Sequence, residues 1–196
     1  MTHRTRSSTK IVTLLLFSIT TFLAGCGGSL YNVKPVVELP PMTGDVKSTT
    51  ANGLTLRAAP LLTDEESQEL FEANLPLSGV LPVRVALDNQ SGDTIELKKA
   101  RFKLRDAEGR EWKHLSAKQA VSRILKANGV TLYNPNSRKK FEAEFSAYAL
   151  DSKTPLSSTT RHGFLFFAAP SKEVESPLGL RLQIERLAQP IELPLN

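Results

Sequence analysis

The stretch LPVRVALDNQSGDTIELKKARFKLRDAEGREWKHL, from Leu81 to Leu115, decides the fold class. In its first nine residues Val83, Val85 and Leu87 fall on one face of an extended chain. Successive side chains of a strand point to opposite faces, so this two-residue period belongs to a half-buried strand and not to a helix. After a polar stretch, TIELKKARFKLR (94–105) alternates again in two registers: Ile95 and Leu97, then Ala100, Phe102 and Leu104. The slip at Lys98-Lys99 predicts a β-bulge. Asp-Ala-Glu-Gly at 106–109 is a turn, and Arg-Glu-Trp-Lys-His-Leu follows, so residues 100–115 read as a hairpin.

The same period recurs on both sides. Leu54 and Leu56 alternate with polar neighbours in GLTLRA. HGFLFFA (162–168) is a continuous apolar run, the pattern of a strand buried on both faces. LGLRLQIERL (178–187) predicts Leu178, Leu180, Leu182 and Ile184 inward, with Arg181, Gln183 and Glu185 outward. Many short strands separated by Asn, Gly, Asp and Pro predict an antiparallel β-sandwich.

Three segments follow a helical period. Thr-Asp-Glu-Glu (63–66) is a capping box, opening a helix from Asp64 to about Ala73. Ser-Ala-Lys-Gln (116–119) repeats the device before Ala120, Val121, Ile124 and Leu125, and Asn128-Gly129 marks the stop. SRKKFEAEFSAYAL, from 137, fits both periods: Phe141, Phe145, Tyr148 and Ala149 at helical spacing, Phe141, Ala143, Phe145 and Ala147 at strand spacing. Its alanines and glutamates favour helix. The fold class is therefore mainly β, a sandwich with two or three helices inserted or flanking.

The N-terminus has a different character. Arg4, Arg6 and Lys10 precede an uncharged, mostly apolar run of 14 residues, Ile11–Ala24. A membrane-spanning helix needs about 20 residues. A positive head, a short apolar middle and small residues at the end describe an export signal. Leu23-Ala24-Gly25-Cys26 resembles the lipobox of bacterial lipoproteins. That resemblance implies cleavage between Gly25 and Cys26, removal of 1–25, and acylation of the Cys26 thiol and of the new N-terminus. Gly27, which is not Asp, resembles the outer-membrane sorting signal, so the expected location is the outer membrane facing the periplasm. Cys26 is the only cysteine, so its acylation leaves none for a disulfide. Residues 26–50, with prolines and glycines, predict an extended tether, or an edge strand built on Val33, Val36 and Val37. The folded domain is expected over 51–196, with a helical insertion at about 116–150.

The run Pro82–Leu115 also resembles the small immunoglobulin-like, telokin-like domains of bacterial extracytoplasmic lipoproteins. The positions that carry the likeness are Val83, Val85, Asn89, Leu104, Asp106, Gly109 and Trp112, with Gly163, Phe166 and Pro170 near the end. It implies an immunoglobulin-like sandwich and an extracytoplasmic habitat. No functional residue carries over beyond Cys26.

Composition and motifs narrow the function. Hydrophobic content of 40% supports a globular core. Losing Arg4, Arg6 and Lys10 takes the formal charge from +5 to +2, and nucleic acid is the wrong partner for an exported chain. His114 and His162 lack carboxylate or cysteine neighbours at ligand spacing, and no Gly-x-Ser-x-Gly is present. Asp64, Glu65, Glu66, Glu69 and Glu72 lack the spacing and glycine turn of a calcium loop and read as a solvated helix face. The expectation is a protein with no catalytic residues, metal or cofactor. The candidate interaction face is the row Arg101, Lys103 and Arg105, which alternates along one strand and suits an envelope protein or anionic polymer. The alternative is a small ligand carrier or hydrolase, with a pocket between sandwich and insertion near Trp112, Tyr133, Phe141, Phe145 and Tyr148.

Overall fold

The computed structural model describes residues 31, 33–36, 41–42, 45–130, 134–175 and 177–196. The signal segment 1–25, Gly25, Cys26, Tyr133 and Val37 lie outside the described residues. Eight strands follow in chain order: β1 (Lys47–Ala51), β2 (Leu54–Pro60), β3 (Val80–Asn89), β4 (Arg101–Arg105), β5 (Glu111–Leu115), β6 (Thr160–Ala168), β7 (Arg181–Glu185) and β8 (Ile191–Pro194). They form a single antiparallel sheet in the order β1-β2-β3-β6-β5-β4-β7-β8. The two outermost strands, β1 and β8, come side by side without a hydrogen-bonded ladder, so the sheet is nearly closed.

The inward residues of all these strands make one core. Leu56, Val83, Val85, Leu87, Leu104, Leu182 and Ile184 meet inside the curled sheet with Leu165 and Phe167. Alternation read from the sequence thus places β3, β4 and β7 correctly. β6 departs from simple alternation because both its faces are covered. Leu165 and Phe167 point into the sheet, while Phe164, Phe166 and Ala168 join a second core.

Three helices supply the other side of that second core: α1 (Asp64–Phe71), α2 (Ala117–Ala127) and α3 (Pro135–Tyr148). Both predicted capping boxes form. The Thr63 hydroxyl accepts from the Glu66 amide as the Glu66 carboxylate accepts from Thr63, and Ser116 and Gln119 do the same. The ambiguous segment is helix. Phe141, Phe145 and Tyr148 are fully covered while Ala143 and Ala147 face solvent, which is the 3.6-residue period. Asn134 caps it, accepting from the Asn136 and Ser137 amides, and Pro135 takes the first helical position, where no donor is needed. α2 and α3 together occupy the expected insertion, between β5 and β6.

Gly163 is required by a close crossing. The chain after α3 passes directly over β6, with the Leu150 amide donating to the Phe164 carbonyl at 2.9 Å. A Cβ on Gly163 would lie 2.5 Å from Leu150 Cα.

Several expectations are corrected. No bulge forms at Lys98-Lys99. A 3-10 turn at Leu97–Lys99 interrupts the chain, and Ile95 pairs only through an isolated bridge to Leu156. Leu178 does not point inward: it is 74% exposed, because Gly179 turns the chain at φ +60° and regular pairing begins at Arg181. α1 stops at Phe71, two residues early, where Glu72 enters the left-handed region at φ 49°. One compact unit spans Tyr31–Asn196. Tyr31 and Val33 are buried in the second core, Val33 outside any strand, and β1 already begins at Lys47.

Candidate functional site

The row Arg101, Lys103 and Arg105 projects from one face of β4, because Phe102 and Leu104 take the inward positions. Neighbouring strands answer its charge. On β5, Glu111 lies 3.8 Å from Arg101 and 3.7 Å from Arg105. On β7, Glu185 accepts from Lys103 at 2.7 Å. The hydrogen bond from Lys103, with help from the other cations of the row, holds the Glu185 carboxyl below the usual range. Farther along, Glu192 of β8 accepts from Arg181 and Gln183. The β5-β4-β7-β8 face is therefore a lattice of paired charges. Glu111, Glu185 and Glu192 are the residues that sequence reasoning left out of this face. Glu185 was legible as an outward residue, but its place beside Lys103 needs the β4–β7 pairing.

At the end of this face the β4–β5 hairpin is organised by Asp106. Its Oδ1 accepts the Glu108 and Arg110 amides at 3.1 and 3.0 Å. Its Oδ2 accepts Arg110 Nε at 2.9 Å and the buried Trp112 indole N–H at 3.1 Å. Burial alone would raise the Asp106 pKa. The hydrogen bonds from Trp112 and Arg110, and the Arg110 charge, outweigh it and lower it. Arg110 is engaged here and not with the row on β4. Asp106 and Trp112 thus form a structural hub of the hairpin.

The histidines stand apart. His114 lies with its ring 6.0 Å from Phe102 and 5.4 Å from Phe167, one side open to solvent, and burial lowers its pKa. His162 sits opposite Ala86 on β6. Among the described residues, no three His, Cys, Asp or Glu side chains converge as a metal would require. The acids of α1 line its exposed side, apart from Glu66, which serves the cap.

Three of the aromatic residues expected around a pocket, Phe141, Phe145 and Tyr148, pack in the second core with Phe71 and Phe166, whereas Trp112 lies in the first. Phe141 and Phe145 lie 5.1 Å apart edge to face, and Phe145 and Tyr148 contact Phe71 at 4.9 and 5.1 Å. Phe166 closes on Phe145 at 5.2 Å. These rings are core. A cavity of about 580 Å³ lies elsewhere, at the end of the sheet where the β1–β2 and β7–β8 hairpins meet the loop before β4. Leu54, Ile95 and Ile191 form its apolar wall; Asp93, Lys99 and Arg186 stand at its rim.

No protein-family model matches the chain, and neither a curated protein nor a solved structure is significantly similar to it. Among the described residues, no helix is long and apolar enough to cross a membrane.

Proposed function

We propose that this is an exported, lipid-anchored protein of the cell envelope with a non-enzymatic, binding or structural role. The observation that carries the reading is Leu23-Ala24-Gly25-Cys26: a lone cysteine directly behind a basic head and a short apolar run. Two or more acyl chains make an effectively permanent anchor, since each buried CH2 contributes about 0.8 kcal/mol. The envelope supplies the partners: the membrane through the anchor, and an envelope protein or anionic polymer at the β4 face.

The strand order supports an immunoglobulin-like reading of the domain. Taking β2 as strand A gives A-B-E-D-C-F-G for β2-β3-β6-β5-β4-β7-β8. That is the Greek-key order of an immunoglobulin sandwich, with A, B, E and D in one sheet and C, F and G in the other. β5 pairs with both β4 and β6 and so joins the two halves. β1 extends the A edge and sits beside β8. Of the rings that motivated the carrier or hydrolase alternative, Phe141, Phe145 and Tyr148 pack in the second core and Trp112 in the first, while Tyr133 lies outside the described residues.

Cys26→Ser tests the anchor. The variant should remain uncleaved by the lipoprotein pathway and incorporate no palmitate. Normal palmitate labelling of the variant would refute the lipobox reading. Crosslinking in intact cells tests the binding role, with a control lipoprotein setting the background. Failure to capture any envelope protein, glycan or headgroup above it would reject that role.

A further inference from the structure

Residues 31–34 have a direction. Tyr31 stacks on Phe141 with ring centroids 4.6 Å apart and planes 12° from parallel. Three residues later, the Lys34 carbonyl accepts from the Tyr148 hydroxyl, and the Lys34 amide donates to the Leu70 carbonyl. Phe141 and Tyr148 are seven residues apart on α3, about 10 Å of helix at 1.5 Å per residue. Three extended residues cover about the same distance. The segment therefore runs along α3 from its N-terminal half toward its C-terminal end. The first described residue of the segment, Tyr31, thus packs at Phe141, next in sequence to Lys139 and Lys140.

The N-terminal end of α3 is basic, and its acids are committed. Arg138, Lys139 and Lys140 fall in the first two turns of α3. Glu142 pairs with Arg138 at 2.9 Å and Glu144 with Lys140 at 3.6 Å, both carboxylates largely covered. Lys139 is exposed, with no acidic partner among the described residues. Lys126, exposed in the last turn of α2, lies just before the connection that leads into α3. The exposed side of α3 continues with Ala143, Ser146 and Ala147, and no exposed acid interrupts it. The acidic helix α1 meets the segment at its other end, where Glu69 pairs with Lys34.

We propose that the α2–α3 corner, through Lys126, Lys139 and Lys140, rests on the anionic phospholipid surface that holds the anchor. The inference rests on the acylation of Cys26. From Cys26 to Tyr31 the chain advances five residues, a reach of at most about 18 Å. A free tether out to residue 50 would release the domain; a tether ending at a buried Tyr31 does not. Polybasic surfaces are attracted to anionic bilayers over about one Debye length, roughly 10 Å, and the short connection keeps this corner near that range. Anchor and corner then act together, and the sheet is held in one orientation instead of tumbling.

The test uses the full acylated chain. Once Cys26 is acylated, an introduced cysteine is the only free thiol. Ala143→Cys on α3 and Gln189→Cys in the β7–β8 hairpin, each carrying a bimane label, are compared in vesicles containing a headgroup spin-labelled lipid. In equal parts phosphatidylglycerol and phosphatidylcholine, quenching at 143 should exceed quenching at 189 several-fold. Lys139→Gln with Lys140→Gln should remove most of that excess there, with the vesicle-bound fraction and the thermal midpoint unchanged. In pure phosphatidylcholine the excess should be small from the start. Equal quenching at the two positions in an acylated, vesicle-bound chain overturns the orientation and leaves the anchor standing. An excess that survives the charge changes overturns the role of the lysines. A mass spectrum showing no acyl group on Cys26 overturns the anchor, and this inference with it.

Discussion

Asp106→Ala should cost about 2.5–7.5 kcal/mol of folding stability, far more than an ordinary hairpin-turn substitution. Four donors converge on this one carboxylate, and it is 7% exposed. The indole N–H of Trp112, a residue 4% exposed, has no water to turn to when the acceptor goes, and an orphaned buried donor costs about 1–3 kcal/mol. The two amides and the Arg110 guanidinium are partly exposed. Water replaces Asp106 for them, and each loses about 0.5–1.5 kcal/mol. Asp106→Asn preserves the shape and Oδ1 but turns an amide N–H2 toward two donors, so it should cost about 1–3 kcal/mol.

Urea unfolding of the purified protein measures this directly. Trp112 is the single tryptophan, so its emission reports on the hub itself. Trp112→Phe, followed by circular dichroism, completes a double-mutant cycle with Asp106→Ala. The coupling should be about 1–2 kcal/mol, since the phenylalanine background no longer contains the orphaned donor. An Asp106→Ala penalty of the same size in both backgrounds would show that the indole bond contributes nothing. The pH dependence supplies a second check. The folded pKa of Asp106 is depressed, so its contribution is present above the unfolded value near 3.9 and is lost as pH falls through the lower folded value. Asp106→Asn should flatten that acid limb. An unchanged limb would place the dependence on other carboxyls.

Three further outcomes follow from the packing. Gly163→Ala drives a methyl against Leu150 Cα and should cost at least the 1–3 kcal/mol typical of overpacking; a thermal midpoint equal to wild type would contradict the crossing of β6. Leu178→Asp should change stability by less than about 0.5 kcal/mol, whereas Leu182→Asp should prevent folding; urea midpoints that rank the two the other way would restore the uninterrupted alternation. The His114 pKa is lowered on folding by burial, so the folded state disfavours its charged form, and stability should fall as pH drops below the unfolded value near 6.5. His114→Gln should remove that step from a pH series of thermal midpoints, and persistence of the step would assign it elsewhere.

Local chemistry made much of this fold legible. Thr63/Glu66 and Ser116/Gln119 announce two helices because capping is decided within four residues. The doubly buried strand was visible in Phe164-Leu165-Phe166-Phe167, since a run without polar interruption has no face to offer water. What failed was chain direction at short interruptions. Leu97–Lys99 and Gly179 each reset the alternation, and a phase change looks the same in sequence whether a bulge, a 3-10 turn or a bend produces it. The candidate face was half legible for a related reason. Outward positions on β4 could be read one by one, but Glu111 and Glu185 become its neighbours only through pairing with β5 and β7, and non-local pairing leaves no local trace.

The second core changes the meaning of the insertion. A sandwich can carry a helical insertion as ornament if the sheet beneath it is polar outside. Here the outer side of β6 presents Phe164 and Phe166, and an uncovered pair of aromatic residues on a central strand would invite association. α1, α2 and α3 are thus half of the fold. Tyr31 and Val33 complete the same core, so the chain at these positions is packed into the domain. The two faces then divide their tasks by construction. The helices consume the β3–β6 face, and the β5-β4-β7-β8 face remains open with its charges paired. A partner docking on that open face must exchange ion pairs with Glu111, Glu185 and Glu192. Selection there would rest on replacing existing charge pairs in register, and a simple excess of positive charge would not suffice.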